Sequence, residues 1–129
     1  LYALLGNNIV LIDTLTATTS VVTEVNDFPT DISPGFLTYN DRDGFFYLIE
    51  ARTETVEDRS YTLAKISTLG EHQEIGVISF DGLRVLLIEG LDFDEQSGLL
   101  YASANLDATP QQIAPYSASI VTIDIVTAE

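Results

Sequence analysis

Apolar residues along this chain come in short bursts and never in a sustained helical period. Val, Ile, Leu, Thr, Phe and Tyr fill the bursts, and Gly, Asn, Asp, Ser and Pro separate them. Such runs of β-branched and aromatic residues, bounded by turn formers, predict short strands. They fall into three groups, whose strands take the letters A to D in order. The first group has B near 1–5, C near 9–16 and D near 19–25. The second has A at 35–40, B at 44–51, C at 60–68 and D at 73–79. The third has A at 86–93, B at 98–104 and C at 118–126. The expectation is about ten antiparallel strands, with A missing from the first group and D from the last.

The grouping is a repeat. LTYNDRDGFFYLI at 37–49 and LDFDEQSGLLYAS at 91–103 match at an offset of 54 residues. Leu37 corresponds to Leu91, Tyr39 to Phe93, Gly44 to Gly98, Phe46 to Leu100 and Tyr47 to Tyr101. Leu1-Tyr2-Ala3 matches Phe46-Tyr47-Leu48 at an offset of 45. A second phrase follows each copy, at 10–16, 62–68 and 121–127, and aligns Asp13, Lys65 and Asp124. Repeats of about 40–50 residues mark solenoids, propellers or arrays. Within the units, Asn40-Asp41-Arg42-Asp43-Gly44 and Asp94-Glu95-Gln96-Ser97-Gly98 read as tight hairpins. The leading Asn or Asp can bond the turn backbone, and the Gly can take positive φ. Gly6-Asn7-Asn8 supplies a third tight turn.

Gly90-Leu91-Asp92, Ser97-Gly98-Leu99-Leu100-Tyr101 and Ile123-Asp124 with Thr127-Ala128 give the chain a family resemblance. It resembles the bacterial secreted β-propeller repeat proteins with YVTN/NHL-like blades. Ala128 stands where Gly is usual, Lys65 replaces the Asp of the second unit, and Thr38 replaces its first-strand Asp. The resemblance implies an all-β, β-propeller-type repeat of about three four-stranded antiparallel blades, the first and last incomplete. The blades would span 1–25, 35–79 and 86–129. It also implies an extracellular or cell-surface location. A β-sandwich of short strands is the alternative fold. Propellers usually have about four or more blades, so the expectation is a segment of a larger propeller, or an arc whose open edges pair with another copy. The opening Leu1-Tyr2-Ala3, without Met, reads as mid-strand and as a processed or truncated product.

Charge narrows the partners. Twenty acidic residues against five basic ones leave a net charge of −15. Too few cations are present to neutralise phosphates, which argues against nucleic acid, and an anionic membrane surface would repel the chain. No apolar run reaches the length of about 18 residues that a spanning helix needs. Cations, basic partners and a salty exterior are compatible with the charge. Cysteine is absent, so neither disulfides nor thiolate chemistry are available.

Candidate chemistry is sparse. A calcium loop wants oxygen ligands at alternating positions before its Gly. Counting back from Gly44 gives Asp43 and Asp41 but then Tyr39, so a plain hairpin is favoured over Ca2+, and no cofactor is expected. Tyr2, Tyr47 and Tyr101 share one repeat position and read as core, with the hydroxyl bonded at a blade edge. His72, the only histidine, falls in the polar stretch Gly70-Glu71-His72-Gln73-Glu74 and reads as a surface residue. Long loops on one face of a rigid scaffold are where binding concentrates. In a propeller that face would carry Asp27, Asp31, Glu54, Glu57, Asp58, Arg59, Asp81, Arg84, Asp107 and Tyr116. A protein or carbohydrate partner would bind there, or copies would associate through edge strands. The expected role is a non-catalytic scaffold or binding module. A propeller hydrolase or lactonase, with a metal held by loop carboxylates, is the alternative.

Overall fold

The computed structural model describes residues 1–29, 32–52, 60–80, 83–107 and 118–128. Ten strands are present and no helix occurs among the described residues. β1 (Tyr2–Leu5), β2 (Asn8–Ile12) and β3 (Thr19–Glu24) form a first sheet in that order. β4 (Ile32–Asn40), β5 (Phe45–Arg52), β6 (Ser60–Ser67) and β7 (His72–Val77) form a four-stranded middle sheet. β8 (Arg84–Asp94), β9 (Leu99–Asp107) and β10 (Ala118–Ile123) form the third. Every neighbouring pair is antiparallel.

The strand count and grouping match the alternation of apolar runs, while several ends differ for local reasons. β2 and β10 stop at Ile12 and Ile123, earlier than the apolar pattern reaches. Asp13 Oδ1 accepts the N–H of Leu15 and Thr16, and Asp124 Oδ1 accepts those of Val126 and Thr127. These Asx-type bonds compete with the ladder and turn the chain. β4 begins at Ile32 and carries Pro34, which a central strand would reject. It is an edge strand, and its register shifts between Pro34 and Leu37.

The hairpin reading holds in detail. Gly44 and Gly98 have φ of 77° and 76°, and their N–H groups donate to the carbonyls of Asn40 and Asp94. Asn40 Oδ1 accepts the Arg42 N–H, as Asp94 Oδ1 accepts the Gln96 N–H. Arg42 Nη2 then reaches the Gln96 carbonyl at 3.1 Å and ties the two turns together.

The middle sheet is buried on both faces, and the period of two along β5 sorts its side chains. Phe46 and Leu48, with Ala64 and Ile66 of β6, pack on Ile9 of the first sheet and on Val25, which follows β3. Tyr47 and Ile49, with Tyr61 and Leu63, pack on Ile88, Phe93, Leu100 and Ile123 of the third. Burying each such large apolar side chain stabilises by about 1.5–3 kcal/mol. Two apolar seams therefore hold three layers, where a two-sheet sandwich would have one.

The two seams repeat each other's contacts. Tyr2 packs on Tyr39 with centroids 5.4 Å apart, and Tyr47 packs on Phe93, the repeat equivalent of Tyr39, at 6.4 Å. The Asn26 N–H donates to the carbonyl of Gly70 (φ 83°) in the turn after β6. The Ser79 N–H likewise donates to the carbonyl of Ala128 (φ 65°) in the turn after β10. Each sheet thus meets the next through the same face and the same turn.

Cross-strand register also corrects one sequence alignment. Tyr2, Tyr47 and Tyr101 stand opposite Leu11, Lys65 and Thr122. The counterpart of Asp13 and Asp124 is therefore Ser67, two residues beyond Lys65. Ser67 Oγ accepts the N–H groups of Leu69 and Glu71, doing with a hydroxyl what the two Asp residues do with a carboxylate.

Candidate functional site

The alternation that buries Phe46 and Leu48 continues to Glu50, which faces the first sheet and has no exposed surface. Thr62 lies opposite it on β6 and is equally buried. His72 opens β7, and its Nε2 sits 2.6 Å from Glu50 Oε1. The bond links β5 to β7 across the intervening β6. Phe28, from the segment after β3, places its ring edge-on to His72 with centroids 5.7 Å apart. Glu50 Oε2 and Thr62 Oγ1 have no hydrogen-bond partner among the described residues. Beside this pair, Arg52 and Glu74 form a half-exposed ion pair.

Burial pushes the Glu50 carboxyl above its usual range. The bond to His72 and its charge oppose that rise, Glu74 adds to it, and Arg52 reduces it. The cluster can therefore hold a proton between a carboxyl and an imidazole inside an otherwise apolar seam. His72 is thus not the surface histidine its polar neighbours suggested: its side chain is 12% exposed and bonded inward. Of its polar neighbours, Glu71 lies in the turn and Gln73 on the other face of β7, while Glu74 shares the face of His72 and pairs with Arg52.

The acids of the repeated turns are occupied by their own backbone. Hydrogen bonds from Leu15 and Thr16 hold the Asp13 carboxyl below the usual range, and those from Val126 and Thr127 do the same for Asp124. The Ser97 hydroxyl, then the Gln96 N–H, lower Asp94. In the stretch resembling a calcium loop, Asp43 Oδ1 accepts the Phe45 N–H and Oδ2 accepts the Tyr47 hydroxyl. Among the described residues no group of three or more His, Asp or Glu side chains is arranged to hold a metal ion. Tyr47 is a core residue with its hydroxyl at the sheet end, as its repeat position predicted. Burial, followed by the Asp43 carboxylate, raises that phenol far above its ordinary value.

The predicted loop face is only partly within view. Asp27 is exposed, in the turn after β3, with φ 51°. Arg84 and Asp107 stand opposite each other at one end of the β8–β9 ladder. Asp31, Glu54, Glu57, Asp58, Arg59, Asp81 and Tyr116 lie outside the described residues. The basic residues whose side chains are described each have a partner within the chain: Arg42 bonds the Gln96 carbonyl, Arg52 pairs with Glu74, and Lys65 lies over the Phe45 ring at 4.7 Å. Glu50 was missed by sequence reasoning. Its signal was a charged residue on the buried phase of the run Phe46–Glu50, two positions beyond Leu48.

No family model matches the chain, and no curated protein or solved structure matches it either.

Proposed function

We propose that the chain is a propeller-type repeat module that works as a non-catalytic extracellular or surface scaffold. The three sheets would be successive blades of an arc, the first lacking its inner strand and the last its outer one. The observation that carries this reading is the duplicated inter-sheet contact, Tyr2 on Tyr39 and Tyr47 on Phe93. Blades of a propeller stack through equivalent faces, and the same aromatic pairing at two successive seams is what such stacking requires. The non-catalytic part is supported by where the polar groups sit. Glu50 and His72 face a seam between sheets, and the turn carboxylates are bonded to backbone N–H groups. The extracellular location rests on the blade motifs alone. Protein or carbohydrate partners would meet the loop face that includes Asp27.

Thermal melting in EDTA and in millimolar Ca2+, with turnover of a panel of lactones and esters, tests the reading. Superimposable melts and no turnover are expected. A melt that drops in EDTA, or chelator-sensitive lactone hydrolysis, would instead favour a metal-dependent hydrolase.

A further inference from the structure

The turns that follow β2, β6 and β10 share a property besides their backbone bonds. Each holds an aliphatic side chain out in solvent: Leu15 is 95% exposed, Leu69 77% and Val126 77%. All three stand two residues after the residue that caps the turn. The Leu15 N–H donates to Asp13 Oδ1 at 2.8 Å, the Leu69 N–H to Ser67 Oγ at 3.2 Å, and the Val126 N–H to Asp124 Oδ1 at 2.7 Å. The middle turn is one residue shorter and still keeps its leucine. It closes from Gly70 to Ser67, where the others close from Ala17 to Asp13 and from Ala128 to Asp124. Turns ordinarily favour Gly, Pro, Asn, Asp and Ser. One exposed aliphatic side chain needs no explanation, but the same kind at one register of three turns does.

This exposure does not come from a missing neighbour. The middle sheet has a sheet against each face, and Leu69 is open all the same. Stacking does cover Gly70 and Ala128, whose carbonyls accept the N–H groups of Asn26 and Ser79 from the preceding sheet's chain. Leu69 and Val126, just before them, stay in solvent. A further sheet at either end would only repeat the surroundings that Leu69 already has. Carboxylates surround these tips. Phe45 pairs with Ser67, and Leu100 with Ile123, so the hairpin turns at 40–44 and 94–98 lie at the same sheet ends. Asp13, Asp41, Asp43, Glu71, Glu95 and Asp124 are exposed there. Backbone bonds hold the Asp13 and Asp124 carboxyls below the usual range, so both keep their charge. The cations nearby, Arg42 and Lys65, are engaged by the Gln96 carbonyl and the Phe45 ring.

We propose that this row of turns is a docking surface for a basic, amphipathic segment of another protein. Its apolar side chains would cover Leu15, Leu69 and Val126, and its Lys or Arg side chains would meet the carboxylates between them. The charge selects the occupant: the acids repel anionic lipid and nucleic acid, and the aliphatic tips gain nothing from a purely polar cation. Tips whose backbone is already bonded lose little freedom on docking, which lowers the cost of binding. The proposal goes beyond the scaffold reading above, whose partner was placed on the loops, and holds whether or not the module is catalytic.

The probe is a synthetic helix-forming peptide of Leu and Lys, about 18 residues and about 27 Å long as a helix. That is enough to reach between tips of sheets packed about 10 Å apart. One control peptide has Ser for every Leu, and another has Glu for every Lys. In calorimetric titration the unaltered chain is expected to bind the Leu/Lys peptide, more weakly as salt rises. The Ser peptide is expected to bind about thirtyfold more weakly, and the Glu peptide not at all. Leu15→Ser, Leu69→Ser and Val126→Ser together leave the net charge unchanged and are expected to weaken Leu/Lys binding about thirtyfold. Asp13→Asn, Glu71→Gln and Asp124→Asn together are expected to weaken it about tenfold, while the Asn side chains still accept the turn bonds. Leu5→Ser, at the other end of the first sheet, is expected to change nothing. All these positions are exposed, and circular dichroism with the melting profile checks that each variant folds. Failure of the Leu/Lys peptide to bind overturns the proposal. So does equal binding of the Ser peptide, unchanged affinity of the tip variant, or equal weakening by Leu5→Ser. Self-association of the chain, or flotation with phosphatidylcholine vesicles, overturns it too if the tip variant abolishes either, since a second copy or a lipid surface would then be the occupant. None of these results alters the chelator and turnover outcomes, so failure of the docking and failure of the scaffold reading are separable.

Discussion

The two seams of the stack are built on one plan and filled with different chemistry. Between the middle and third sheets the filling is apolar throughout: Tyr47, Ile49, Tyr61 and Leu63 meet Ile88, Phe93, Leu100 and Ile123. Between the first and middle sheets the apolar part is smaller, and Glu50, Thr62 and His72 occupy its continuation. Register puts Ala104 where the other seam has Glu50. A repeat therefore fixes which face is buried, but each seam chooses what to bury. The apolar seam supplies stability through area. The polar one carries a hydrogen-bonded pair that rewards one alignment of β5, β6 and β7 and penalises others.

The sharpest break should come from the apolar seam. Leu63→Ala removes a fully buried side chain, and a loss of about 2–5 kcal/mol is expected in denaturant unfolding. Next comes the turn that closes the other seam. Gly70 has φ 83°, and a Cβ there would fall 1.9 Å from the Glu24 carbonyl. Gly70→Ala should cost about 2–3 kcal/mol through strain and displacement of the Asn26 bond, with the loss read as a lowered denaturation midpoint.

The polar pair gives a smaller but pH-dependent effect. His72→Ala leaves Glu50 without its partner and should cost about 1–3 kcal/mol near neutrality. Burial places the folded Glu50 carboxyl above its ordinary 4.5, so the folded protein holds a proton that the unfolded chain releases. The contribution is complete below that ordinary value and is lost as pH rises through the folded one. Glu50→Gln has no proton to lose. The stability of the unaltered protein relative to Glu50→Gln should therefore fall as pH is raised from about 4 toward neutrality. A constant difference would mean that the bond to His72 cancels the effect of burial.

The smallest effect compares two alanines. Ala17 and Ala128 both take positive φ, where Gly is unstrained. Ala17→Gly should stabilise by about 1 kcal/mol. Ala128→Gly should gain less, because the Ala128 methyl is fully buried in the apolar seam and is lost with the change. Equal shifts in melting temperature would show that this methyl contributes nothing.

Much of the fold was legible in the sequence because strand alternation and turn chemistry are local. The hairpins at 40–44 and 94–98 need only an Asx side chain and a glycine, and both stand in the text of the chain. The alignment of the second C strand was misread for a physical reason. Ser67 performs the turn-capping done elsewhere by Asp, so matching letters placed Lys65 on the aspartates while hydrogen bonding places Ser67 there. The Glu50–His72 pair was not legible, since it spans two strand pairings whose register no local pattern fixes. Of the expected loop face, Asp27 alone has a described side chain. Its assembly depends on loops whose geometry strand patterns do not determine.

Arg42, Arg52 and Lys65 all find partners within the chain. Each of these cations is engaged by a carbonyl, a carboxylate or a ring of its own chain, and twenty acidic residues outnumber the five basic ones. A visitor approaching from solution therefore feels the carboxylates first. Dissolved ions, by thinning that anionic atmosphere, govern how closely anything negatively charged can come, another molecule of the same protein included.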